Sequence, residues 1–413
     1  MLSFDQALTR ILNEVAPTET ELCDLRTSHL RVLAQDVVAA YDVPRFDNSS
    51  MDGYALRADD TLLAAPDRTV ELTVDGEIGA GDASEGTLTP GSACRIFTGG
   101  AIPRGADAVI EQENVERVDK KIRLFAPVTR GRNIRRRGED VLSGHTVLNQ
   151  GVSISAARQG VLASLGLSQV RVYSRPQVAI LTTGNELIGV DEPLVPGKIR
   201  DSNSYTLASL VRESGCVPVE VGRAADTISD LTGKLKEGLS HDALITSGGV
   251  SVGDRDLVLE TLKDLGADIR FWKVNIKPGM PFAFCLFRRE GVAASVPVFA
   301  LPGNPVSTMV TFLQLVRPAL AKIQGLRVVQ SEVKLRATLE EDYEKKDGKT
   351  HFARGIVRNE NGKLLVRKSG SQSSGVLTSM AIGNCLITIP ENVTMAKAGS
   401  EVEIELLRES LQV

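Results

Sequence analysis

Histidine is scarce in this chain, at 4 of 413 residues, and its five cysteines, Cys23, Cys94, Cys216, Cys285 and Cys385, are odd in number and widely separated. They offer no zinc-ligand spacing, so buried reduced thiols are expected. A basic excess is also missing: 48 Lys and Arg stand against 52 Asp and Glu, a formal net charge of −4. That excludes a general nucleic-acid or membrane-surface binder, and any anionic ligand must be held locally. No apolar run approaches the roughly 20 residues that span a bilayer. The opening MLSFDQALTRILNEV reads as an amphipathic helix rather than a signal peptide, which makes the cytoplasm the expected compartment. What is present, a 42% hydrophobic share, is ample for the cores of about two to four domains.

The most informative string is Ser247 to Asp256, SGGVSVGDRD, between the apolar run Asp242–Thr246 and the amphipathic run Leu257–Leu262. It reads as strand, glycine-rich loop and helix. Glycines let backbone N–H groups approach an oxyanion, and the positive end of the helix points at the same place. The loop has neither the ending of a P-loop nor the spacing of a dinucleotide turn. Its acids, Asp254 and Asp256, suit a divalent cation, magnesium by preference, bridging to phosphate; the same two residues are also good helix caps. Lys277-Pro278-Gly279 and Leu301-Pro302-Gly303-Asn304-Pro305 are expected close by.

Residues 176 to 327 alternate strand and helix, which predicts a parallel sheet with helices on both faces and ligands beyond the carboxyl ends of its strands. The strands are expected at Gln177–Thr182, Val217–Gly222, Ala243–Thr246, Ile269–Val274 and Val298–Leu301, with helices starting near Asp201, Thr227, Asp254 and Pro305. Residues 1–175 read as helical at both ends with an inserted β subdomain at about 50–140. Residues 328–413 have a period near two and read as a small β barrel or sandwich. The fold class is therefore α/β, multidomain.

Several strings carry chemistry, each beside a plainer reading. Thr183-Gly184-Asn185-Glu186 puts a carboxylate at a strand end, where Glu186 could ligate a metal or the segment could be a turn satisfied by its own side chains. Asp201-Ser202-Asn203-Ser204 suits a helix cap and a polar ligand edge equally. Alternation would place Lys273, Asn275 and Lys277 on one strand face, facing an oxyanion or solvent. Pro305 fits a first helical turn, with Ser307 just inside it. In the N-terminal half, Asp52 sits in the polar turn Asp47–Ala55, and Arg135-Arg136-Arg137 precede Glu139 and Asp140, with Asp140 a candidate to orient the arginines.

NSSMDGYA, FTGGAIPRGADAV, NIRRRGED, TTGNEL, SGGVSVGD, KPGMPFAF and LPGNPVS follow one another over nearly the whole chain. In that order they resemble the molybdopterin molybdotransferases, the molybdenum insertases that include the bacterial enzyme and the E domain of gephyrin. The resemblance implies an N-terminal linker domain with an inserted β subdomain, an α/β molybdopterin-binding domain and a C-terminal β barrel. It implies a homodimer that takes adenylylated molybdopterin and molybdate with a divalent cation and yields molybdenum cofactor and AMP, with transient contact to the adenylyltransferase of the preceding step, and no nucleic acid or membrane. Thr183, Gly184, Asn185, Asp201, Ser202, Ser247, Gly248, Gly249, Val250, Ser251, Gly253, Asp254, Pro302, Gly303, Asn304 and Pro305 would hold the pterin adenylate.

By the same resemblance Asp52, Thr98 and Asp140 would complete the site from the other subunit, and Glu186, Asp226 and Asp256 are the functional acids, Glu186 and Asp256 with the metal. Lys273, Lys277, Pro278, Ser307, Arg354 and Ser373 match oxyanion and molybdate positions. Two departures stand out. Met280 takes the place of a second lysine found in some relatives, so less positive charge is expected there, and Asn185 replaces an aspartate, which favours Glu186 as metal ligand. The competing readings are an adenylyltransferase-like or nucleotide pyrophosphatase activity on the same α/β domain, and a non-catalytic scaffold.

Overall fold

The computed structural model describes residues 1–82, 86–250, 257–291, 294–327 and 334–407. The chain divides into two compact units, one of Met1–Ala34, Gly151–Ile154 and Val170–Val413, the other of Gln35–Gln150 and Ser155–Gln169.

In the larger unit a six-stranded sheet runs in the order Val217–Ala224, Gln177–Thr183, Ala243–Ser247, Val296–Leu301, Ala283–Phe287, Asp268–Trp272. The first four strands are mutually parallel. Ala243–Ser247 and Val296–Leu301 are buried at every position, as continuous apolar runs covered on both faces must be. Strand alternation divides the core. Val178 and Ile180 pack with Leu207 and Val211 of the helix Asn203–Glu213 and with Val306 and Val310 beyond Pro305. Ala179 and Leu181 face the other way, onto Leu231 and Leu235 of the helix Ile228–Gly238 and Val258 and Leu262 of Leu257–Asp264. Helices therefore cover both faces, as expected.

Two expectations are corrected at the far edge. Ala283–Phe287, not foreseen as a strand, pairs antiparallel with both Val296–Leu301 and Asp268–Trp272, so the sheet is mixed. The strand expected to run through Val274 ends at Trp272, and Lys273 adopts φ +70. Ile276–Lys277 instead pairs with Thr350–Glu360. Lys273, Asn275 and Lys277 therefore share no strand face: a left-handed residue breaks the alternation on which that reading depended.

The C-terminal strands Thr350–Glu360, Lys363–Lys368, Lys334–Leu339, Glu401–Leu406 and Cys385–Ile389 close into a barrel, because the first also pairs with the last. Closure removes the exposed edges. Val366, Cys385, Ile387 and Ile404 fill the interior. The N-terminal helix Phe4–Glu14, started by a Ser3/Gln6 capping box, buries Ala7 and Ile11 in the core of the α/β sheet.

The smaller unit is built on a six-stranded sheet between Gly53 and Leu124, ordered Ala108–Glu111, Gly53–Leu56, Ser92–Ile96, Val70–Ile78, Lys121–Leu124, Glu116–Val118. Tyr54 and Leu56 pack on one face, Ala55 on the other. All five cysteines are buried. Among the described residues no helix is long and apolar enough to cross a membrane.

Candidate functional site

Parallel strands that share a direction deliver their following loops to one edge of the sheet. Here the ends of Val217–Ala224, Gln177–Thr183, Ala243–Ser247 and Val296–Leu301 lie side by side and open onto a cavity of 610 Å³. Its wall includes Thr183, Gly184 and Glu186 from one loop, Asp226 from the next, Ser247 to Val250 from the third, Pro302 to Pro305 from the fourth, and Asp201 and Ser202 from the start of a helix. Fourteen of the sequence-predicted residues are thus brought together. Ser251, Gly253, Asp254 and Asp256 lie outside the described residues.

Backbone approach is close at the glycine-rich turn. Gly248 has φ +93, and a Cβ there would stand 2.3 Å from the Thr183 carbonyl oxygen. Only glycine fits, which leaves a concave surface of main chain where a phosphate can be cradled. Ser247 Oγ donates to the Pro302 carbonyl at 3.2 Å, and Thr308 Oγ1 donates to the same carbonyl at 2.6 Å, which fixes the turn before Pro305.

The acids are positioned by distinct means. Asp226 accepts from Thr183 Oγ1 at 2.9 Å and from the Asn185 N–H at 3.0 Å, while Asn185 Oδ1 accepts from the Asp226 N–H at 3.1 Å. Asn185 therefore locks two strand-end loops and does not itself line the cavity. Asp201 accepts from Thr182 Oγ1 at 2.7 Å and caps the Ser204 N–H at 3.1 Å. Among the described residues no group of three or more His, Cys, Asp and Glu is placed to hold a metal. Glu186 and Asp226 each bring a carboxylate to the cavity wall.

Sequence reasoning missed Asn203 and Arg200. Asn203 Nδ2 donates to Ser247 Oγ at 2.9 Å and to the Gly303 carbonyl at 2.8 Å, tying the helix start to two of the loops. Its signal was the Asp-Ser-Asn-Ser cluster, which suited a helix cap and a polar ligand edge equally and gave no hint of a tie between loops. Arg200 lines the cavity but turns its guanidinium to the carbonyls of Gly189, Val190 and Glu192. Met280 and Pro281 also line it.

The oxyanion candidates occupy other places. Lys273 lays its ammonium 4.0 Å from the centre of the Trp272 ring, and Lys277 pairs with Asp347 at 3.1 Å. Pro278 follows Lys277, and Gly279 packs against Ser307 and Thr311. Arg354, in the barrel strand Thr350–Glu360, is 1% exposed and has no carboxylate partner among the described residues. Its guanidinium donates to Ser379 Oγ and to the carbonyls of Ser371 and Ser373, each at 3.1 Å. The neighbouring Ser374 carbonyl accepts from the Val306 N–H at 3.2 Å, which joins this loop to the helix that carries buried Ser307. Beside Met280 stands Lys349, whose Nζ lies 3.3 Å from the Met280 sulfur.

In the smaller unit Thr98 donates from both its N–H and its hydroxyl to Asp52 Oδ1, each at 2.8 Å. Those bonds, the N–H foremost, hold the exposed Asp52 carboxyl below its ordinary value of 3.8. Gly53 follows because a Cβ there would fall 1.9 Å from the Ile110 carbonyl oxygen of the adjacent strand. Asp140 is exposed, and the part given to it is corrected: Asp47 pairs with Arg136 at 2.7 Å and Asp42 pairs with Arg137. Those two acids stand about 90 residues away in sequence, at separations of 89 and 95, beyond the reach of local pattern.

Comparison with known proteins adds independent findings. Residues 2–166 match the MoeA N-terminal region (domain I and II), residues 179–322 a probable molybdopterin binding domain, and residues 336–407 the MoeA C-terminal region (domain IV). The chain is 37% identical to the molybdopterin molybdenumtransferase of Haemophilus influenzae, with 98% of each chain covered. It is 36% identical to that of Bacillus subtilis, covering 98% of this chain and 94% of the relative. The crystal structure of a molybdopterin biosynthesis moeA protein from Pyrococcus horikoshii OT3 is similar with a TM-score of 0.83 at 34% identity, over 98% of this chain and all of that one.

Proposed function

Because this chain belongs to the molybdopterin molybdenumtransferase family, transferases of molybdenum cofactor biosynthesis, we propose that its cavity binds adenylylated molybdopterin and accepts molybdenum from molybdate, releasing AMP. The observation that carries this reading is the convergence of the Gly248 cradle, the Pro302–Pro305 turn and the carboxylates of Glu186 and Asp226 on one cavity. A pterin joined to AMP through a pyrophosphate bridge needs a main-chain anion site of this kind, with acids beside it.

Bound there, the bridge sits on backbone N–H groups while Asp201 and Ser202 meet a polar edge of the ligand. A magnesium ion held by Glu186, together with Asp256, would neutralise phosphate charge. Arg354, Ser373, Ser307 and the lysines are the molybdate candidates; Arg354 supports this because a buried guanidinium that among the described residues bonds only neutral oxygens retains an uncompensated positive charge. Cleavage of the phosphoanhydride by a water or molybdate oxygen expels AMP and is coupled to transfer of molybdenum to the dithiolene sulfurs. Fixing both reactants is the main catalytic contribution of the chain. The enzyme works as a cytoplasmic homodimer in which the second subunit supplies Asp52, Thr98 and Asp140.

Asp52→Ala and Glu186→Ala test the assignment. Both are expected to fold, by circular dichroism and thermal melting, and to lose AMP release by at least about 100-fold, the scale of removing a group that contacts the reacting charge. Unchanged turnover in either removes that residue from the mechanism.

A further inference from the structure

We propose that Lys349, on the loop before the barrel strand Thr350–Glu360, is a further oxyanion-binding residue of this site, acting on a tetrahedral dianion at the Met280 wall of the cavity. The inference rests on the proposed insertase reading for the identity of that dianion, molybdate.

Among the described residues the cavity wall carries three carboxylates, Glu186, Asp201 and Asp226, and one cation, Arg200, whose guanidinium is taken up by carbonyls. A dianion entering it needs positive charge from elsewhere. Lys277 is neutralised by Asp347, Lys273 rests on the Trp272 ring, and Lys346 pairs with Glu344 at 3.1 Å. Lys349 differs. Among the described residues it makes no ion pair, it is half-buried, and its ammonium lies 3.3 Å from the sulfur of Met280, which lines the cavity. A thioether is a weak acceptor, so the donors of this ammonium are left unsatisfied on the protein side.

The loop is held so that this placement persists. Lys345 is 4% exposed and its ammonium donates to the Lys349 carbonyl at 2.6 Å and to the Glu391 carbonyl at 3.1 Å. Asp347 accepts from His351 Nε2 at 2.8 Å, and His351 Nδ1 meets Tyr343 Oη at 3.0 Å. Asn275 Nδ2 donates to the Gly348 carbonyl at 2.9 Å, which fastens the loop to the segment leading into Met280.

The test is equilibrium dialysis of the full chain against sodium molybdate at low ionic strength, with bound molybdenum read by mass spectrometry. Lys349→Met should bind about tenfold more weakly, the loss of one charge-assisted hydrogen bond. Lys349→Arg should recover most of that, and Lys346→Met, on the same loop, should equal wild type. Equal affinity in Lys349→Met, an equal loss in Lys346→Met, or no uptake by wild type overturns the proposal. AMP release by wild type, measured beside it, keeps the two readings apart: a chain that releases AMP and ignores Lys349→Met retains its function and loses only this residue.

Discussion

Gly248 shows how much one residue decides. Its φ of +93 and the 2.3 Å approach of the Thr183 carbonyl leave no room for a methyl group. Gly248→Ala should cost about 2–3 kcal/mol of stability through backbone strain and overpacking, and it should weaken binding of the pterin adenylate more than it slows the bound reaction. Titration calorimetry with adenylylated molybdopterin, beside urea unfolding, separates the two effects. Asp347 makes a second residue-scale case. Against burial, which raises it, the His351 and Lys277 hydrogen bonds hold its carboxyl at about 2, below its ordinary 3.8. A depressed folded-state value stabilises the fold above the unfolded value, and that stabilisation is lost as pH falls from about 4 through 2. Asp347→Asn should therefore flatten the acid limb of a Tm-against-pH curve and cost about 1–2 kcal/mol near neutrality, the partial exposure of the pair limiting it.

Between elements, the tie from the α/β unit to its barrel runs through polar groups that a pattern reading does not supply. Gln314 Nε2 donates to Glu405 Oε2 at 2.7 Å, and Arg317 pairs with the other oxygen of that carboxylate, all three residues being buried. Glu405→Ala removes the buried carboxylate that serves both Gln314 and Arg317 and should cost about 3–5 kcal/mol in urea unfolding. Glu405→Gln should cost less, because it keeps the amide partner. Three of the four parallel strands, Gln177–Thr183, Ala243–Ser247 and Val296–Leu301, were legible because each is an apolar run ahead of a glycine or proline turn. Ala283–Phe287 was not: its run, AFCLF, has no turn signal of the expected βα kind, and it pairs antiparallel. The cavity residues at strand ends were legible for the same reason as the strands. Asn203, Lys349 and the Asp42 and Asp47 partners of the arginines were not, since each acts across separations that only the folded chain closes.

For the whole molecule, the proposed homodimer, with Asp52 supplied by the second subunit, has a consequence that no single chain shares. Mixed and re-paired Asp52→Ala and Glu186→Ala chains form heterodimers in which one of two sites regains both residues. Random pairing should therefore restore about a quarter of wild-type turnover, and mixtures that stay inactive would place both residues in one chain's site. The order of seven motifs carried the family assignment; their spread over both units is what local periodicity alone does not reveal. The central claim is that molybdenum insertion and anhydride cleavage occur together in the strand-end cavity. Single-turnover AMP release from adenylylated molybdopterin, with magnesium, with and without molybdate, tests it most directly. Molybdate-dependent release is the predicted result, and tight binding of the adenylate without any release would contradict it.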